Sequence, residues 1–215
     1  MPTPVQLFIS YAKDNRQQWL LPVRQHLLGA QHRGLIEIWE DSRIDPGEGW
    51  DESIAAALEE ADIVILLVSS AFTASQYCHR EMTRALERRK KGSAEVVWIY
   101  VDYCDYGAMP FAGLEGMPKD KDGRLQPLIE FNRKEQTRHL ADASRKFREL
   151  AVEIAEAKGR TVAPEALAER VVVGPGGGGV PASLIARAEV VSAELGVPVE
   201  LLRSILANLV GTAAA

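Results

Sequence analysis

The chain has 215 residues, 47% of them apolar, and a formal net charge of −5. That length holds one domain of about 150 residues and an appendage. The acidic balance excludes a protein built mainly to bind nucleic acid directly, which carries a basic stripe.

Two cysteines, Cys78 and Cys104, are too few for a disulfide framework, so a reducing compartment is expected. No apolar run approaches the roughly 20 residues of a bilayer span. The N-terminus, Met-Pro-Thr-Pro-Val, lacks the basic and apolar regions of a signal peptide. The expectation is a cytoplasmic protein with no membrane partner.

Residues 5–11 (VQLFISY) read as a first strand. Asp14 or Asn15 can cap a helix running to about Gly29, with Trp19, Leu20, Val23, Leu27 and Leu28 at helical spacing. Residues 35–39 (LIEIW) read as a second strand, and 40–49 as a polar loop rich in turn formers. A short helix over 50–60 comes next. Ile63 to Val68 are six apolar residues without alternation, the pattern of a strand buried on both faces of a parallel sheet. The helix after it is expected to start near residues 73–75 and to end near Lys91. Residues 95–101 (EVVWIYV) form a fourth strand, 103–124 are irregular, and 125–131 read as a short fifth strand at the edge. Residues 136–158 complete the domain as a long amphipathic helix. Strand–helix alternation of this kind implies a parallel sheet with helices on both faces.

Composition changes after Gly159. Gly174-Pro-Gly-Gly-Gly-Gly179 reads as a flexible hinge. Two short helices split by Gly196 follow it. About 30 residues build no core alone, so this pair must pack on the main domain, on a copy of itself or on a protein partner, and the glycine-rich hinge favours contact between chains over folding back. The organisation read from the sequence is therefore a domain over 1–158, a Gly-rich linker over 159–180 and a helical pair over 181–210.

Several motifs resolve to plain readings. The hinge matches G-x-G-x-x-G at Gly174, Gly176 and Gly179, but no βαβ unit surrounds it, so it reads as a linker. Arg84, Arg88, Arg89, Lys90 and Lys91 read as a solvated helix end that complements the helix dipole. The four histidines show no metal-ligand spacing with one another or with the cysteines, and no metal is expected. No nucleophile elbow surrounds Ser69 or Ser70. A phospho-receiver shares this element order, but it needs an aspartate where the third strand here ends in Ser69-Ser70.

Glu81 lies on the helix after the central strand, where open α/β sheets place their ligands. The spacing Ser75-x-Tyr77-Cys78-x-x-Glu81 resembles the signature of the Toll/interleukin-1 receptor (TIR) domain. Phe8-Ile9-Ser10-Tyr11 with Asp14 resembles that family's first strand. Asp41-Ser-Arg43-Ile-Asp45-Pro46-Gly47 resembles its loop after the second strand. The three occur in register over about residues 5–150, closest to the bacterial branch. Tyr77 departs from the tryptophan common in the family, although a tyrosine still stacks.

This resemblance implies a flavodoxin-like sheet of five parallel strands. It also implies one of two functions. The first is cleavage of NAD⁺, as substrate and not cofactor, at the nicotinamide–ribose bond, switched on by self-assembly and serving bacterial antiphage defence. The second is a non-catalytic adaptor acting only through TIR–TIR contacts. Glu81 is the implied catalytic carboxylate. Phe8, Ser10, Arg43, Ser75 and Tyr77 are the implied substrate-binding residues, with Asp45, Pro46 and Gly47 in the assembly loop of a homo-oligomer.

Overall fold

The computed structural model describes residues 3–40 and 50–160. Five parallel strands form one sheet in the order β2-β1-β3-β4-β5. They are β1 (Val5–Ser10), β2 (Ile36–Glu40), β3 (Ile63–Val68), β4 (Glu95–Tyr100) and β5 (Gly116–Met117). The helices are α1 (Leu21–His32), α2 (Trp50–Glu60), α3 (Ser70–Ala74), α4 (Gln76–Lys90) and α5 (Arg133–Ala157).

The unbroken apolar run of β3 is explained by cover on both faces, with every one of its residues buried. On one face Leu7, Ile9, Ile65 and Leu67 pack with Val23 and Leu27 of α1 and with Phe147 and Ala151 of α5. On the other, Phe8, Val64, Leu66 and Val68 pack with Leu58 of α2 and with Met82 and Ala85 of α4. The chain goes from β1 to β2 on one side and then crosses to β3 on the other. The topological switch point therefore falls between the carboxyl ends of β1 and β3, the position where such sheets bind ligands.

The last strand differs from expectation. Residues 125–131 are not a strand: Leu125 makes one antiparallel bridge to Lys119, and Leu128–Glu130 form a 3₁₀ turn after Pro127. The sheet is closed instead by Gly116–Met117, inside the stretch read as irregular. A side chain at Gly116 would meet the Trp98 ring, since an ideal Cβ there lies 2.5 Å from Cε2 and Cζ2. A missing side chain lets the edge strand approach β4.

The first helix also starts later than its capping residues imply. Lys13–Asn15 form a 3₁₀ turn and Arg16–Leu20 a π-helical turn before α1. Asn15 does not cap, because its Nδ2 donates to Ser69 Oγ at 2.5 Å, tying this turn to the end of β3. In α5 the helix starts three residues earlier than expected, where Asn132 and Glu135 form a reciprocal capping box.

At the amino ends of the strands Asp62 is buried in an ion cluster. It accepts from Gln6 N–H at 2.9 Å, from Lys158 Nζ at 2.5 Å and from both terminal nitrogens of Arg160 at 2.5 and 3.2 Å. Burial pushes its carboxyl pKa up, but the hydrogen bonds from Arg160, Lys158 and Gln6 outweigh that and hold it below the ordinary value. The charged cluster therefore stabilises the fold above the unfolded pKa of about 3.9 and loses that contribution as pH falls through the lower folded value. Asp62→Asn is expected to cost about 1.5–3 kcal/mol at neutral pH. It should also flatten the fall of melting temperature below about pH 4, read by calorimetry across pH. Parallel acid profiles for the two proteins would refute this.

The expected linker beyond Arg160 and the helical pair over 181–210 lie outside the described residues. No helix among the described residues is long and apolar enough to cross a membrane.

Candidate active site

The site is built on α4. Ser69 caps α3 by accepting from Phe72 N–H at 3.1 Å, and Ser75 caps α4 by accepting from Cys78 N–H at 3.3 Å. These two caps turn the chain sharply after β3 and aim α4 back along the sheet. Tyr77, Arg80, Glu81 and Arg84 then fall at i, i+3, i+4 and i+7, on one face of the helix. That face looks toward α2.

Ser10 ends β1 at the switch point and is buried. Its hydroxyl donates to Glu81 Oε2 at 2.5 Å, joining residues 71 positions apart in the chain. Beside the pair is a cavity of about 180 Å³ lined by Ile54, Ala55, Leu58, Tyr77, Arg80, Glu81 and Arg84. Glu81 is half-buried, with an apolar floor from α2 and a rim of two guanidiniums and one phenol ring. Tyr77 is 49% exposed and carries Arg80 over its ring, 4.6 Å from guanidinium carbon to ring centroid.

The implied substrate residues separate into three groups. Ser10, Tyr77 and Glu81 come together at this cavity or against it. Ser75 is adjacent, but its hydroxyl is spent on the helix cap. Phe8 is buried beneath the site, stacked on Trp39 at 4.9 Å between centroids, and does not line the cavity. Strand alternation places Phe8 on the same sheet face as Ser10, with its ring taken up by Trp39. Arg43, Asp45, Pro46 and Gly47 lie outside the described residues.

Glu40, a buried carboxylate at the end of β2, belongs elsewhere. It is in register with Ile9, whose side chain faces α1, and its Oε1 lies 3.6 Å from Arg24 Nε. Among the described residues, no group of three or more histidines, cysteines and carboxylates is arranged to hold a metal ion.

Two arginines of the basic run have roles that sequence reading missed. Arg88 is buried, and its Nη1 donates to Leu58 O at 2.5 Å and Ala61 O at 2.6 Å, satisfying carbonyls at the end of α2. Arg84 lines the cavity and donates from Nε to Glu59 at 2.5 Å. The signal was the i+3 and i+7 spacing of Arg84 and Arg88 from Glu81, which places both on the Glu81 side of α4.

The fold and site define a flavodoxin-like α/β protein with an anchored carboxylate, Glu81, at its switch point. A sequence model of the TIR domain matches residues 7–141, and the chain belongs to the TIR domain family. An uncharacterized protein of Sinorhizobium fredii, y4lF, is 35% identical over 131 residues, covering 60% of this chain and 36% of that protein. The chain thus matches little more than a third of that relative's length. Among solved structures, the TIR domain of the Toll-related receptor TRR-2 from Hydra magnipapillata is similar at 21% identity. It covers 50% of this chain and 90% of its own, with a TM-score of 0.36. The TIR domains of the activated Roq1 resistosome, which recognises the effector XopQ, are 18% identical, covering 66% and 84%, with a TM-score of 0.39.

Proposed function

We propose that this chain is an NAD⁺ glycohydrolase, cleaving the bond between nicotinamide and ribose C1′ to release nicotinamide and ADP-ribose or its cyclic form. The observation that supports this reading is the Ser10–Glu81 pair at the switch point, opening on a cavity with an apolar floor. Cleavage at C1′ passes through an oxocarbenium-like transition state, as in glycoside hydrolysis. Nicotinamide in NAD⁺ is already cationic and leaves as a neutral molecule, so no general acid is needed. One carboxylate then suffices, stabilising the developing charge on the ribose and accepting from its hydroxyls. Tyr77, exposed at the rim, offers a ring for stacking.

A second reading, a non-catalytic adaptor, draws support from the size of the cavity. About 180 Å³ is below the roughly 300 Å³ at which ligand sites begin, so a whole dinucleotide does not fit inside. Self-association belongs to both readings, with Asp45, Pro46 and Gly47 as the loop that contacts the next copy and residues 181–210 as a further oligomerisation or partner-docking element. A cytoplasmic role in antiphage defence belongs to the first.

The deciding experiment is incubation of the purified chain with NAD⁺, dilute and crowded, followed by chromatography of the products. Nicotinamide and an ADP-ribose species are expected. A protein inert under both conditions would leave the adaptor reading.

A further inference from the structure

We propose that Arg80 and Arg84 form a diphosphate-binding wall, holding the phosphates of a dinucleotide whose ribose lies at Glu81 and whose second nucleoside rests in a larger depression beside the end of α4. The ligand is taken from the reading of Glu81 above. The wall is carried by geometry of its own.

Arg80 and Arg84 line the Glu81 cavity. They also line a second depression of about 610 Å³ beside α4, which reaches Glu59 of α2 and Glu87, Arg88 and Lys91 toward the end of α4. The two guanidiniums are therefore the boundary between a small chamber with an apolar floor and a larger polar one. Arg84 stands three residues after Glu81, about 4.5 Å further along the helix axis. In a dinucleotide the diphosphate likewise links the reacting ribose to the other nucleoside, so it falls where the chambers meet. The chamber volumes agree with that division. The inner one is too small for a whole dinucleotide, and the larger one has the size of an ordinary ligand site.

The state of Arg84 fits the same role. Its Nε is held by Glu59, and its two terminal nitrogens have no partner among the described residues. A guanidinium anchored at Nε presents the remaining donors as a fork, the geometry that binds phosphate oxygens in pairs. Arg80 is oriented by its contact with the Tyr77 ring. Both side chains are exposed, so phosphates reach them without a change in the fold.

Calorimetric titration of the full chain with ADP-ribose tests this. Arg84→Gln is expected to weaken binding about tenfold or more, and the Arg80→Gln/Arg84→Gln double variant further still. Glu59→Gln removes the competing negative charge but keeps a carbonyl oxygen to accept from Arg84 Nε, so the fork stays oriented and binding should be as tight as wild type or tighter. Adenosine, which has no phosphate, should not distinguish the variants. In the cleavage assay the arginine variants should raise KM with kcat within about twofold of wild type.

Wild-type affinity for ADP-ribose in the double variant overturns the wall, as does a wild type that binds no ADP-ribose. Arginine-dependent binding without NAD⁺ cleavage upholds the wall and overturns the hydrolase reading. Cleavage with an unchanged KM in the double variant does the reverse.

Discussion

Glu81→Gln is expected to lower nicotinamide release by about 10²–10³-fold or more while the protein stays folded. The rate follows from the role of the charge. A carboxylate facing a developing oxocarbenium ion acts on the transition state and much less on the ground state, and removing one preorganised electrostatic group of this kind costs about 3–4 kcal/mol. The fold follows from the contacts. Glu81 is only half-buried, and glutamine keeps a carbonyl oxygen for the Ser10 hydroxyl, so the loss of charge costs about 1 kcal/mol or less of stability. The corresponding fall in melting temperature is about 2–4 °C. The kinetic pattern is as informative as the size of the effect, because kcat should fall with kcat/KM and ADP-ribose affinity should be retained. Turnover near wild type in Glu81→Gln would remove the carboxylate from the reaction. A loss of turnover accompanied by unfolding would be uninformative, and Glu81→Asp serves as the second variant. It keeps the charge but withdraws it by one methylene, so it should be folded and impaired.

How much of this was legible in the sequence depends on the range of the interaction. The central strand announced itself, because only a strand covered on both faces tolerates six apolar residues in succession. Glu81 was singled out by its place on the helix after that strand together with the resemblance of Ser75-x-Tyr77-Cys78-x-x-Glu81 to the TIR signature. Its partner was placed at the correct strand end, but the bond between residues 10 and 81 is a product of sheet order, which periodicity does not encode. Arg88 was misread for the same reason: charge and position near a helix end describe a solvated side chain, and only the packing of α2 beside α4 turns it inward. Phe8 was offered as a pocket residue through the family's first-strand motif, Phe8-Ile9-Ser10-Tyr11, but Trp39 from the neighbouring strand stacks on its ring and it does not line the cavity. At the sheet edge, residues 125–131 had the apolar content of a strand and Pro127 in their middle. The true strand is two residues long, too short for any alternation to register.

That short strand gives the largest expected effect on stability. Gly116→Ala is expected to destabilise the fold by about 2–3 kcal/mol through overpacking alone. Gly116 does not have a positive φ, so alanine meets no backbone penalty there. The obstacle is Trp98, whose Cε2 and Cζ2 stand 2.5 Å from the position of the new Cβ. A flexible side chain would swing aside, but this ring is fixed on every side. It is buried, its Nε1 donates to Leu114 O at 3.1 Å, and Phe111 and Tyr106 pack against it at 5.1 and 5.0 Å between centroids. The edge strand must therefore move away from β4, weakening the two-residue pairing that closes the sheet. Denaturant unfolding measures the loss as a lower midpoint with an unchanged slope. The cause is isolated by a second substitution, since Trp98→Phe removes the ring that the new methyl strikes. Each single change should be destabilising, and the double variant should lose at least about 1 kcal/mol less than their sum. Strict additivity would mean that the contact between Gly116 and Trp98 does not set the cost. A wild-type midpoint for Gly116→Ala would mean that the edge strand has room that the ring geometry denies.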